Sequence, residues 1–511
     1  MLDAVPGQET TASGDAPRRS NVQTQQYGDD MGKTLVSGEK IIGIFVDPAT
    51  SSKPIGAGAL WLDEDYGVTA EMPHLLEKSS DPFAQMDRMQ QHQLPSNLIF
   101  YGEDFVASLY GCAYIEYKSG NVAIAKLRAN EAVIGETPLN IVNPLEVSTF
   151  ISHIDGLNVW SDLSSVEFWP DWHKDEYGHK KMRANYIVES KNGHVWCQGA
   201  TRMSLITHPG NKVGESNPGI HLDDPVVLLS KTRSPRPISV HLAEHRKFRD
   251  LHALIHGASV FFRAHQIRDR MFPARTWTKD VIGAEYHSVL ERTTVREHKS
   301  PIPPKERFYD PLLTADEITS FRLSRWAKYY EEWHRIIFPV ASLLLRPGTL
   351  NENLMINASM SIEAIGQRLP KYDGEEETYS KRGKKRPTTA TYFYRSIKAT
   401  KVDTRSIAYS ESGIASALAD NYNTLKHSDR GGFPDPAFIF FAGHLTLAIS
   451  RIYLTRILLL EAEATDTYFN SHLISQISQE MIANKVHINA DGRFVFERRL
   501  CRYSRVLPAF P

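Results

Sequence analysis

The spacing of apolar positions changes character along this chain. Between residues 39 and 235, short runs rich in β-branched and aromatic residues are broken by turn residues. KIIGIFVD (40–47), GAGALWLDE (56–64), SNLIFYGE (96–103), CAYIEYKSG (112–120), NVAIAKLR (121–128) and YIVESKNGHVWCQG (186–199) all read as strands. The steps Lys118-Ser119-Gly120-Asn121 and Lys191-Asn192-Gly193 have the composition of hairpin turns. This pattern predicts a largely antiparallel region, either a sandwich or an open barrel. PISVHL reads as one more strand, and AEHRKFRDLHALIHG (243–257) as a helix closed by Gly257.

Beyond residue 313 the period becomes helical. The stretch 313–345 opens on Thr314 and Glu317, the spacing of a capping box. NENLMINASMSIEAIGQRL (351–369) predicts a second helix stopped by Pro370, and residues 406–427 a third, stopped by Gly431-Gly432 and FPDP. A fourth, apolar nearly all round, runs from about 436 to 464. YDGEEETYSKRGKKRPTT (372–389) reads as a charged loop, and one more amphipathic helix and the hairpin-like VHINADGRFVFERR follow residue 466. The expected fold class is α+β, with a β-rich N-terminal domain followed by an all-α helical bundle. Its expected parts are a disordered tail (1–38), the β-rich domain (39–300), a Pro- and charge-rich linker (301–314), the bundle (315–465) and a C-terminal extension (466–511).

Charge narrows the function classes. With 59 Lys plus Arg against 60 Asp plus Glu, the net charge of −1 does not hold nucleic acid by an overall field, so any such contact must be a local patch. Cys112, Cys197 and Cys501 form no CxxC, so neither a disulfide framework nor a zinc knuckle is indicated. A reducing cytoplasm is expected, and the first residues lack the apolar stretch of a secretory signal. The apolar segment 438–460 carries His444, Arg451 and Arg456, which are costly in lipid. A buried bundle helix is the expectation, with no membrane partner.

The candidate chemistry lies in DNYNTLKHSDR (420–430). At 100° per residue, Asp420, Asn423, His427 and Arg430 fall within about 80° of one helix face, with Lys426 beside Arg430. Ile414, Leu418 and Leu425 are left for packing. A base, an amide and a cation on one face suit phosphodiester cleavage without a metal. Histidine exchanges the proton of a 2′-hydroxyl or leaving oxygen, and Lys or Arg stabilises phosphate charge. On spacing alone, a His in a helix-end NxxxH more commonly caps or decorates a surface.

A polar His motif late in the third long helix, before an apolar fourth, resembles the HEPN superfamily. The chain as a whole looks like the Apea-like HEPN proteins of bacterial anti-phage defence, over about residues 40–465. IIGIFVDPATSSKPIGAGALWLDE and FRDLHALIHGASVFF (248–262) match their ApeA-type N-terminal domain, and YNTLKHSDRG matches the HEPN motif. The resemblance assigns His427 as the motif histidine. The usual Arg, four to six residues earlier, is replaced by Tyr422, Asn421 or Asp420. Asn421 or Asn423 then supplies the motif amide, Arg430 and Lys426 the cation, and Glu363 the acidic residue near the motif. The resemblance implies an endoribonuclease acting on tRNA or mRNA, with no metal or cofactor. It also implies a homodimer formed through the bundle and a phage-derived trigger sensed by the β-rich domain. A non-catalytic module that binds RNA or a protein is the alternative.

Other features carry weaker expectations. His241, His245, His252 and His256 share a face only if all are helical. With PISVHL as a strand, only the i, i+4 pair His252 and His256 remains, and it lacks the carboxylate of a metal motif. KRGKKR (381–386) reads as a solvated loop balanced by Glu375, Glu376 and Glu377, HKDEYGHKK (173–181) as an exposed hairpin, and Trp169 with Trp172 as a core, rim or ligand-facing aromatic pair.

Overall fold

The computed structural model describes residues 35–50, 54–75, 95–118, 122–135, 137–138, 144–213, 220–275, 280–346, 348–381, 384–427, 429, 432–460 and 467–497. The N-terminal region is β-rich and the C-terminal region helical, so the protein is α+β. Fourteen strands form one continuous antiparallel sheet, open at both edges, Asn192–Gln198 and Ala113–Lys118. The sheet curls until Gly67 lies against the stem of Arg292, and one half wraps a core of Phe45, Leu60, Leu98, Phe100 and Leu109.

Three helices accompany the sheet: α1 (Leu157–Ser161), α2 (Ile238–His256) and α3 (Val295–His298). The expectation of a strand through PISVHL is not met. The strand Val226–Pro237 ends at Pro237, and α2 starts at the next residue. Pro237, at φ −52°, cannot donate to a sheet ladder, and its missing N–H costs nothing at a helix entrance. The β-branched Ile238 and Val240 lose to tertiary packing: Ile238 and Leu242 are buried under the sheet. All four histidines 241, 245, 252 and 256 are therefore helical and buried.

The helical region comprises α4 (Ser320–Glu332), α5 (His334–Leu344), α6 (Asn351–Arg368), α7 (Thr389–Thr400), α8 (Glu411–Lys426), α9 (Pro436–Ile452) and α10 (Thr467–Ala483). Helix α9 continues through a π-helical turn, Tyr453–Ile457, to Leu460. Pro436–Leu460 is long and apolar enough to cross a membrane, but most of it is buried inside the protein, including Arg451 and Arg456. It is the central core helix. Residues 313–345 are two helices broken at Trp333, and Thr314 bonds Glu317 in a turn ahead of α4. Helix α7 starts at the last residue of the expected 372–389 loop, in a stretch for which no element was expected, and is entered by a capping box between Thr388 and Thr391.

One apolar core runs from Phe150 and Phe248 through Trp326 and Ile362 to Leu445 and Phe494, so sheet and helices share it. The segment 301–314, expected as a linker, sends Phe308, Leu312 and Leu313 into that core. Of the expected tail, residues 1–34 lie outside the described residues, while Leu35 is buried and Gly38 donates to Leu62 O. Lys191-Asn192-Gly193 is not a hairpin turn, because Asn192 opens a strand paired with Thr201–Thr207. The Lys118–Asn121 turn falls largely outside the described residues, but the strands it would join, Ala113–Lys118 and Val122–Arg128, do pair.

Helices α6 and α7 touch backbone to side-chain position at Gly366. A Cβ there would stand 1.9 Å from Tyr392 O. Gly366→Ala gains about 1 kcal/mol of helix propensity and meets an overpacking cost of about 3 kcal/mol, so the clash wins. We expect a net loss of about 2 kcal/mol in urea unfolding. Gly56→Ala, with nothing within 4 Å of the added carbon, should lose far less.

Candidate functional site

Helix α8 carries the residues singled out by sequence. Ser410 opens it, its Oγ accepting from Gly413 N at 3.0 Å, and Ile414, Ala415, Leu418 and Tyr422 bury one side. The helix ends at Lys426. His427 has φ −123° and ψ 103°, although its N–H still donates to Asn423 O at 3.0 Å. Ser428, Asp429 and the two glycines are poor helix formers, and Pro434 cannot follow in a helix. The expected continuous face through Asp420, Asn423, His427 and Arg430 therefore stops short. Asp420 is exposed and Asn423 half-buried on the last turns, and His427 is half-buried at the cap. Arg430 lies outside the described residues.

Behind His427 sits a small polar cluster. Tyr422 is buried, its ring stacked 6.0 Å from Phe393, and its hydroxyl lies between Lys426 Nζ at 3.4 Å and the Glu363 carboxylate of α6. Burial, with Glu363 beside it, raises the Tyr422 hydroxyl above its usual range, and Lys426 opposes this. The Lys426 ammonium also stands 5.2 Å from the Tyr422 ring centre. Asn421 points inward: its Nδ2 donates to Ala417 O at 2.9 Å, and its Oδ1 is buried without a partner among the described residues. Asn423, not Asn421, is the amide that shares the helix end with His427. The structure thus brings Glu363, Tyr422 and Lys426 together, keeps Asn423 near His427, and turns Asn421 away.

A second polar constellation, not foreseen from sequence, lies under α2. His241 Nε2 donates to Val147 O at 2.9 Å, and that carbonyl can only accept. His241 Nδ1 must then accept from Ser230 Oγ at 2.8 Å. Ser230 accepts from His245 Nε2 at 2.8 Å, and His245 Nδ1 accepts from Ser152 Oγ at 2.7 Å. Ser152 accepts from His265 Nδ1 at 2.8 Å, and His265 Nε2 accepts from Thr294 Oγ1 at 3.0 Å. The chain joins three neutral imidazoles and three hydroxyls, with Phe150 against all three rings. Ser230 Oγ and Thr294 Oγ1 also reach Phe150 O at 3.3 Å and Glu291 O at 3.1 Å, carbonyls that compete for the same hydroxyl protons. The ordering is inferred from donor and acceptor capacity, because ring protons follow their partners. The sequence signal is the 241/245 spacing on α2. It becomes readable only once Pro237 is recognised as a helix entrance.

Of the expected pair His252 and His256, only one ring nitrogen is hydrogen-bonded among the described residues. His252 Nε2 bonds Asp155 O at 3.1 Å, and its ring packs on His256 at 4.5 Å. No group of three or more His, Cys, Asp or Glu suited to a metal occurs among the described residues. Arg451 of α9 reaches the end of α2, Nε to Leu254 O at 2.8 Å and Nη2 to Ile255 O at 3.0 Å. Gly257 (φ +64°) makes room, since a Cβ there would sit 2.2 Å from Arg451 Nη1. This end of α2 borders a cavity of about 490 Å³, shared with Tyr309 and His472. Comparison with protein families, curated proteins and solved structures found no match to this chain.

These buried rings resist protonation. Burial above all holds His245 and His265 well below the usual imidazole range. It lowers His252 to about 3, and it lowers the half-buried His153, next to Ser152 on its strand, and His298 of α3 to about 4. An unfolded chain takes up protons at these positions near pH 6.5, while the folded chain refuses them. Stability should therefore be full above about pH 6.5 and fall as pH drops towards about 4, by up to about 1.4 kcal/mol per pH unit for each such ring. Urea unfolding followed at stepped pH measures this slope. Ser152→Ala strands one nitrogen each of His245 and His265 and should cost about 1–3 kcal/mol at neutral pH by the same measurement.

Proposed function

We propose that this protein is a HEPN-type anti-phage defence protein whose helical region acts on RNA as a metal-independent endoribonuclease. One observation carries the reading. Helix α8 ends so that His427 stands half-exposed beside Asn423 and Lys426, with Tyr422 and Glu363 behind Lys426. An imidazole at that position can take the proton from an RNA 2′-hydroxyl. The freed oxygen attacks the adjacent phosphorus, the 5′-oxygen leaves with a proton, and a 2′,3′-cyclic phosphate remains. Lys426 meets the charge on the phosphate, and Arg430, three residues after His427, is the second cation of this reading. Two copies facing across the bundle would present two such histidines to one RNA. The β-rich region would hold the nuclease quiet in the cytoplasm until a phage-derived trigger arrives.

The end of the helix at Lys426 favours a second reading, because it leaves His427 itself outside the helix. In that reading the module binds RNA or a protein without cleaving. Purified protein incubated with tRNA and with mRNA, in EDTA, separates the two. We expect cleavage that survives EDTA and falls by about 10²-fold or more in His427→Ala, whose circular dichroism should be unchanged. Binding without cleavage would establish the second reading. His427→Ala cells that resist phage as well as wild type would sink the first.

A further inference from the structure

The strands Val166–Lys174 and Lys180–Val188 form a two-stranded sheet of their own, outside the fourteen-stranded one. Its base is fixed: Asp224 accepts from Ser165 N at 2.6 Å and from Ser164 Oγ at 2.9 Å. Beyond the base, nearly every residue is exposed. Cross-strand register sorts the side chains. One face carries Phe168 opposite Tyr186, Pro170 opposite Ala184 and Trp172 opposite Met182. Val166 opposite Val188 extends this apolar face to the base, and Lys174 opposite Lys180 ends it at the tip. Trp169 and Trp172 fall on opposite faces, so they are not one aromatic pair. Phe168, Trp172, Met182 and Tyr186 are 47%, 63%, 55% and 58% exposed. A lone hairpin is marginal in water, and a contiguous apolar patch of this kind marks a contact surface.

The charges select the partner. Residues 166–188 hold four cations (Lys174, Lys180, Lys181, Arg183) and four anions (Glu167, Asp171, Asp175, Glu176), which sum to zero. No net field draws this arm to nucleic acid or to an anionic bilayer. Insertion tip first would also carry Lys174, Asp175, Glu176 and Lys180 into hydrocarbon. A second copy of the same arm fits better. Pro170–Ala184 is the middle pair of nine, so a two-fold axis through it stacks the two apolar faces in opposite directions. Trp172 and Met182 of one copy then cover Phe168 and Tyr186 of the other. The tip lysines Lys174 and Lys180 arrive at the other copy's base, where Asp162 and Glu189 are exposed.

We propose that this hairpin is a dimerisation arm whose apolar face packs on the same face of a second copy. The proposal does not depend on what His427 does. Each strand is about 30 Å long, and the face is smaller than the ~800 Å² per partner of a standard interface, so a micromolar dimer is expected. Two cysteine variants of the full chain, built on Cys197→Ser and Cys501→Ser, test it. Ala184→Cys lies near the two-fold axis and should form a disulfide-linked dimer under mild oxidation, at least about tenfold faster than Arg183→Cys on the opposite face. Adding Trp172→Asp and Tyr186→Asp should abolish that cross-link. A dimer formed through the helical bundle would survive both substitutions. The proposal is overturned by equal cross-linking of the two cysteine variants, or by cross-linking that the aspartates leave unchanged. A monomer at about 200 µM overturns it too, as does a chain whose tryptophan emission shifts only with phosphatidylcholine vesicles.

Discussion

Burial of α2 is the constraint on which the rest of this structure depends. From Lys247 to His256 the helix lies buried between sheet and helical region and turns no face to water. Its buried polar groups draw their partners from inside the protein, and those partners come from both sides. His241 and His245 are satisfied by serines of two strands and by a backbone carbonyl, whereas His252 Nδ1 and both ring nitrogens of His256 stay buried without a partner among the described residues. Asp250 takes Arg249 at 3.0 Å and the Tyr330 hydroxyl at 2.7 Å, Lys247 O accepts Trp326 Nε1, and Arg451 closes the last carbonyls. Arg451 has no carboxylate partner among the described residues, and burial pushes it down to about 10. The partial negative charge at the end of α2 is what it gains instead.

Much of the architecture was legible from local pattern. The short strands, the apolar α9 and the exposed 173–181 hairpin all follow from periods of two and 3.6, or from turn residues. The misses have a common cause. Helix α2 begins at Ile238 because the sheet buries that residue, which no β-branched propensity reveals. TATYFYRSIKAT of α7 follows a charged loop and is rich in residues that favour strands, yet it packs between α6 and α8. The serine–histidine chain joins strands and helix at separations of up to 113 residues, so no local window contains it.

The site on α8 was legible in part, for the same reason. Asn423, Lys426 and His427 follow from their spacing near a helix end. The end itself did not, because a helical wheel drawn through residues 420–430 assumes the periodicity it is meant to test. Glu363 and Tyr422 meet only because α6 and α8 pack side by side. The polar cluster is therefore a property of the bundle, and the motif supplies only its outer edge.

The bond from Arg451 to Leu254 spans 197 residues of chain. Synthesis runs from the N-terminus, so the carbonyls at the end of α2 emerge from the ribosome long before the guanidinium that closes them. The first half of the protein must wait with that end uncapped and its apolar underside open. Contacts so distant in sequence form late and slowly. The end of α2 is closed only when α9 has been made.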